Sequence, residues 1–262
     1  MKRREFLAGA ALGVAGGAAI GAAGTVALQE TGAPPSIWPF ASGRGHSRQQ
    51  ERISFSQMGE DLILSALLRD RLKIDAPSYL DIGAADPVAV NNSYLFYWKG
   101  SHGVLVEPNP TYVERLRAVR PRDVVVAAGV GVTEDAAADY FVIKDQPMLN
   151  TFSPELGEKH RKEGRLERVV KMPLVPINAL IAQHFTAAPD LLSIDVEGLD
   201  LAILQTLDFE KHRPPVVCAE TKGPGFSHES TSVATFLATK GYLVTAGTLY
   251  NTIFVDRVRL TA

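Results

Sequence analysis

The chain has 262 residues, 46% of them hydrophobic, and a formal net charge of −2. That length is enough to bury one sizeable α/β core with an extension to spare. The near-neutral balance offers no basic surface for a nucleic-acid partner, and the single cysteine, Cys218, excludes an internal disulfide.

Residues 1–30 do not read as part of a fold. Lys2-Arg3-Arg4-Glu5-Phe6-Leu7 leads into an Ala/Gly-rich apolar run that reaches Leu28. Paired arginines before a moderately apolar segment are what a twin-arginine translocase reads. The alternative is an uncleaved N-terminal membrane anchor, because the run is roughly long enough to span a bilayer. Its glycines make a poor helix and favour the signal. Either way the expected location is periplasmic or membrane-associated, with membrane contact through this segment only. If the signal is not used, the protein stays cytoplasmic. Residues 31–50, with their Pro, Gly and Ser content and Arg44, His46 and Arg48, read as a linker, which leaves 51–262 as the folded domain.

Leu62, Leu64, Leu67, Leu68 and Leu72 carry the i, i+3/i+4 spacings of an apolar helix face, preceded by Gln57 and Asp61 as capping or ligand-contacting groups. Tyr79-Leu80 is a short apolar run closed by Asp81 and turned at Gly83. Val104-Leu105-Val106 is a second such run, closed by Glu107 and Pro108. Continuous apolar runs bounded by turn residues predict buried parallel strands, and the helix-length segment between them completes a βαβ unit. A helix is expected from Asn109-Pro110-Thr111 through Arg120, and a third strand over Asp123–Ala128 that leads into Gly129-Val130-Gly131. Tyr140–Ile143 reads as an extra strand, Leu149–Ser153 as a loop, Glu155–Arg168 as a solvated helix, and Val169–Val175 as a strand broken by Pro173 and Pro176.

Asp190–Gly198 is a further buried strand, ending in Asp195, Glu197 and Gly198, with a helix over Leu199–Leu207 behind it. Pro215–Ala219 ends in Glu220, Ser230–Lys240 is a helix stopped by Gly241, and Tyr242–Thr245 pairs with Thr252–Val255 to close the sheet. The pattern is that of a doubly wound, mostly parallel α/β sheet. In such sheets ligands sit beyond the carboxyl ends of the strands, where Asp81, Gly83 and Glu107 are expected to fall.

The chemistry follows from those positions. Gly83 lets the backbone turn close to a ligand, and the Glu107 carboxylate offers two acceptors to a ribose diol. The loop is not G-x-G-x-x-G: Ala84, Ala85 and Pro87 stand where a dinucleotide pyrophosphate needs glycine. S-adenosylmethionine has no phosphate and tolerates such a loop, so a nicotinamide oxidoreductase is the weaker alternative. Asn92, beside Asn91, Ser93 and Tyr94, either meets the cofactor or caps a helix. Asp195, Glu197 and Glu220 are expected to converge near Glu107, where mutual repulsion makes one of them a general base. Oxygen ligands of this kind also suit Mg²⁺, the alternative tenant of the same groups. His228 and Lys222 flank Gly223-Pro224-Gly225 above the cleft, with His228 an alternative base. No spacing suits zinc, and no G-x-S-x-G elbow marks a hydrolase.

YLDIGAADP, GVLVEPNP, LNTFSPE, LLSIDVEGLDLAIL, VVCAET and NTIFVDR, in this order, resemble the successive blocks of the FkbM family of S-adenosylmethionine-dependent methyltransferases. The resemblance runs from about Phe55 to Arg257. It implies a Rossmann-like class I methyltransferase sheet with an antiparallel closing strand. It also implies a cofactor site at Asp81, Gly83, Ala84, Asn92, Glu107, Pro108 and Asp195, and catalysis by Asp195, Glu197 and Glu220. The activity it implies is O-methylation of a sugar, glycolipid or small natural product, hence a small-molecule or glycan acceptor. An exported glycan- or envelope-binding protein that kept the fold and lost the chemistry is the alternative from a different class.

Overall fold

The computed structural model describes residues 52–221 and 231–261. The expectations for residues 1–30 and 31–50, and for Lys222 and His228, lie outside the described residues. Among the described residues no helix is long and apolar enough to cross a membrane.

Helix α1 (Glu60–Ser65) continues as a π-helical turn (Ala66–Arg71) before β1 (Tyr79–Ile82). Then come α2 (Tyr94–Trp98), β2 (Gly103–Val106), α3 (Pro110–Val119), β3 (Val124–Val126) and β4 (Gly129–Gly131). The middle of the chain forms β5 (Ala137–Ile143), α4 (Pro154–Lys162), β6 (Leu166–Pro176) and α5 (Ile177–His184). The remainder is β7 (Leu191–Ile194), α6 (Asp200–Thr206), β8 (Val216–Glu220), α7 (Ser232–Thr239), β9 (Tyr242–Gly247), β10 (Asn251–Asp256) and α8 (Arg257–Thr261).

Seven of these strands form one sheet in the order β3-β2-β1-β7-β8-β10-β9. Strands β3, β2, β1, β7 and β8 are parallel, and β10 runs antiparallel to both β8 and β9. Helices cover both faces, which is why the strands are apolar throughout rather than alternating. On one face Leu80, Ile82, Val104, Val106, Leu192 and Ile194 pack against α5, α6 and α7. On the other, Tyr79, Leu105, Leu191 and Val216 pack against α1, the π turn and α2. Cys218 lies in this second core at 1% exposure, where burial pushes its thiol pKa well up.

The middle segment departs from expectation. Glu155–Arg168 is not one helix: α4 ends at Lys162, Gly164 turns at φ 69°, and strand begins at Leu166. The prolines do not break β6 either. Leu166–Pro173 pair antiparallel with β5, and Leu174–Pro176 then pair parallel with β4, so the strand changes partner where Pro173 sits. Gly129–Gly131, expected as the end of the third strand, is a separate strand at one edge of this smaller sheet. The insertion thereby becomes a wall beside the carboxyl ends of β1, β2 and β7.

Candidate active site

Those strand ends frame a cleft of about 570 Å³, open to solvent on one side. Gly83, Ala85, Glu107, Pro108, Asp195 and Glu197 line it. The insertion closes it with Tyr140, Asn150 and Phe152, and Ala128 and Val130 supply apolar floor. The rings of Tyr140 and Phe152 lie 4.7 Å apart at 41°, and Phe152 packs on Gly129, where a Cβ would come within 2.5 Å of the ring.

Glu107 is 4% exposed at the end of β2. Its Oε2 accepts from the Ala85 N–H at 2.9 Å and its Oε1 from the Asn109 N–H at 2.7 Å. Burial pushes its pKa up to about 7, against the pull of those two amides; the charge on Asp81 adds to the rise. Each carboxylate oxygen has a second lone pair, so the two amides leave acceptors for a diol. Ala85, which donates one of the amides, holds φ 47°. A non-glycine residue in that region is uncommon and marks a backbone held by its surroundings.

The opposite wall begins at Asp195. Gly83 (φ 84°) approaches it so closely that a Cβ at position 83 would lie 1.9 Å from the Asp195 carbonyl oxygen. The next carboxylate, Glu197, is also in the left-handed region at φ 53°. Its carbonyl accepts from the Thr151 hydroxyl at 2.9 Å, so the Leu149–Ser153 loop holds it from the insertion side. Single carboxylate oxygens of Asp195, Glu197 and Glu220 all lie within 4.8 Å of one another, each residue half-buried. An oxygen-only set at that spacing is one that Mg²⁺ accepts.

Glu197 borders a second opening, lined by Asp200, Glu220, Thr221, Lys159 and His160. Asp200 was not anticipated. It opens α6 at 5% exposure, and burial followed by the charge on Glu220 pushes its pKa up to about 7. The backbone amides of Val196 and Gly198 donate to it at 3.3 and 3.4 Å, so it fixes the turn that presents Glu197. Its place in the sequence hints at this: three residues after Glu197, in a first helical turn, a carboxylate can fold back on the preceding loop.

Three residues expected at the cofactor do not line the cleft. Asp81 is not the end of β1, because the strand runs on to Ile82. Alternation therefore turns its side chain to the α2 face, where the Ser93 hydroxyl donates to it at 2.5 Å and burial raises its pKa. Ala84 packs in the core on that same face. Asn92 reaches Ser193 Oγ at 3.4 Å, under the sheet. Glu220 stands at the second opening rather than in the main cleft.

What Asp81 joins instead is a buried polar network that no sequence pattern signals. Arg120 and Asp123 form a 2.7 Å ion pair with both side chains fully buried. Arg120 also donates to Tyr79 Oη, Ser93 Oγ and Asn91 Oδ1 at 3.1, 3.0 and 3.2 Å. Asn91 Nδ2 in turn donates to the carbonyls of Ala84 and Asp86 at 2.9 and 3.1 Å. The loop that carries Gly83 and Ala85 is thus tied through Asn91 to a charge pair outside the cleft. Gln57 is exposed, and Asp61 spends its carboxylate on Ser54, Ser56 and the Phe55 N–H, a turn-holding role.

The sheet order, with β10 running antiparallel, is that of the class I methyltransferases. Among solved structures, the chain is similar to the methyltransferase FkbM of Methylobacillus flagellatus, with 14% identity and a TM-score of 0.41. The match covers 69% of this chain and 44% of that one, so the chain spans less than half of that relative's length. It is also similar to an O-methyltransferase from Bacillus cereus in complex with SAH (12% identity, TM-score 0.36, covering 74% of this chain and 78% of that one). A third is a putative RNA methyltransferase from Pyrococcus horikoshii (13% identity, TM-score 0.39, covering 76% and 83%). No curated protein matches the chain. Residues 81–244 match the methyltransferase FkbM domain, and the chain belongs to that family of S-adenosylmethionine-dependent methyltransferases.

Proposed function

We propose that this protein methylates a hydroxyl oxygen of a sugar, glycolipid or small natural product. The observation that carries the reading is the juxtaposition, across one cleft, of a buried diol-type acceptor, Glu107, with the carboxylates Asp195 and Glu197, which gather with Glu220 at the adjoining opening. S-adenosylmethionine supplies an electrophilic methyl carbon on a sulfonium. The residues fit it: Glu107 for the ribose hydroxyls, and Ala128, Val130 and Phe152 as apolar surface for the base. The acceptor enters by the second opening, where Glu197, Asp200, Glu220 and Thr221 offer hydrogen-bond partners to a polyhydroxylated molecule. Asp195 or a carboxylate next to it takes the hydroxyl proton as the O–CH₃ bond forms and the S–CH₃ bond breaks. The rest of the rate comes from alignment of oxygen, methyl carbon and sulfur.

The protein is exported under this proposal, its Arg3-Arg4 pair read by the twin-arginine pathway, which carries folded proteins. Two measurements test the reading. S-adenosylhomocysteine, and not NAD, raises the unfolding temperature, since binding stabilises by mass action. Labelled methyl then appears on oxygen when a panel of glycans and small alcohols is supplied, with and without EDTA and Mg²⁺. Stabilisation by NAD alone would replace the reading with an oxidoreductase. Cofactor binding without transfer to any hydroxyl would favour a binding protein.

A further inference from the structure

On the α1/α2 face, away from the cleft, lies a groove that catalysis does not use. Arg52, Ile53, Arg69, Leu95, Trp98 and Lys99 line it, and every charged side chain in its lining is a cation. Trp98 is 40% exposed and Ile53 41%, a large outlay of apolar surface on a soluble face. Trp98 is braced edge-on by Phe55, with ring centroids 6.0 Å apart. Lys99 donates to Ser65 Oγ at 3.1 Å, and burial together with Arg69 and Arg52 holds its pKa below the usual lysine range. Asp70 pairs with Arg69 at 2.8 Å on the exposed side, and Asp61 is spent on the Ser54–Ser56 turn, which leaves Arg52 and Lys99 without a carboxylate ion pair among the described residues.

A braced tryptophan with an isoleucine beside it, ringed by lysine and arginine, matches the chemistry of a bilayer interface. There indole sits at headgroup level, and each cation near an anionic surface contributes about 1 kcal/mol. The chain also enters the domain here. Upstream of Arg52 the sequence holds the apolar run ending at Leu28 and a connecting stretch with Arg44 and Arg48. At full extension residues 31–50 reach roughly 70 Å at most, so a domain tethered by that run stays within touching distance of the membrane. We propose that the face formed by Arg52, Ile53, Arg69, Trp98 and Lys99 docks on an anionic phospholipid bilayer, a contact beyond the N-terminal segment and independent of the methyl-transfer reading.

The full chain contains two tryptophans, so Trp38→Phe leaves Trp98 as the sole emitter. Vesicles of phosphatidylglycerol and phosphatidylcholine, with bromine high on the acyl chains, should quench Trp98. Vesicles of phosphatidylcholine alone should not. Arg69→Gln/Lys99→Gln should lower the docking equilibrium roughly 30-fold and remove most of the quenching, while the thermal transition stays in place. The proposal falls if the protein sediments with anionic vesicles but Trp98 is not quenched, because the N-terminal segment then acts alone. It also falls if neutral vesicles quench equally. A vesicle-independent, concentration-dependent shift of Trp98 emission would mean that a second copy covers the face, and would overturn it too.

Discussion

On the β1–β2 side of the cleft, Glu107 is 4% exposed and both its oxygens already accept backbone amides. On the β7–β8 side Asp195, Glu197 and Glu220 are half-buried, and their oxygens gather within 4.8 Å. The first side is finished before any ligand arrives: loop, carboxylate and the Asn91–Arg120 network are one hydrogen-bonded body. The second side keeps its charges near solvent, where they can exchange protons and meet a variable acceptor. Under the proposed function, the preorganised half holds what is common to every turnover, and the adaptable half faces what differs between substrates.

Mutations on the two sides should therefore fail differently. The largest effect is expected from Asp195→Asn, which keeps the shape and removes the charge. Turnover should fall roughly 10²- to 10⁴-fold while S-adenosylhomocysteine affinity, read by calorimetry, moves little. Equal losses in rate and affinity would place Asp195 on the cofactor side and erase the contrast. Arg120→Leu attacks the finished side from behind. It leaves Asp123 buried without its ion pair and should cost about 3–5 kcal/mol in urea unfolding, with Arg120→Lys recovering part of it. Glu107→Ala should weaken S-adenosylhomocysteine binding by about 2–4 kcal/mol. It should also lower stability, because the Ala85 and Asn109 amides lose their acceptor. Glu107→Gln, which keeps an acceptor oxygen, should spare more of the stability than of the affinity.

Proton linkage gives the finest distinction. Asp200 is raised from 3.8 to about 7 by burial and by Glu220. A carboxyl whose folded pKa is raised contributes stability below its unfolded value and loses it as pH climbs through the folded one. Apo stability should thus decline from about pH 4 to pH 7, and Asp200→Asn should flatten that slope in unfolding measured across pH. Glu107, also near 7, must be charged to serve the diol best, so S-adenosylhomocysteine affinity should drop roughly fivefold from pH 7 to pH 6. That dependence should vanish in Glu107→Gln.

The apolar runs around Leu80, Leu105, Leu192 and Val217 were legible because a strand covered on both faces writes its burial directly into composition. Gly83, Glu107, Pro108, Asp195 and Glu197 were placed at the cleft for the same reason, since they follow those runs. Asp81 is the counterexample. One more strand residue, Ile82, reverses the face of the one before it, and no single-residue preference sets that boundary. The Arg120–Asp123 pair was invisible because nothing local distinguishes a charge that solvent will reach from one that a tertiary contact will bury. The β6 prolines misled because strand propensity carries no information about which neighbour a strand has at each position.

The missing side chain at Gly83 sets a limit on how far the cleft can be remodelled. With only 1.9 Å between a would-be Cβ and the Asp195 carbonyl, the turn after β1 and the turn after β7 share a single clearance. A methyl group there would push cofactor loop and acceptor loop apart together, so one codon guards two halves that otherwise answer to different ligands. The adaptable side can be rewritten at Glu197, Asp200 or Glu220 to suit a new acceptor. Its freedom ends at the backbone of Asp195, which has no room to move closer to position 83 and would be displaced by any side chain there.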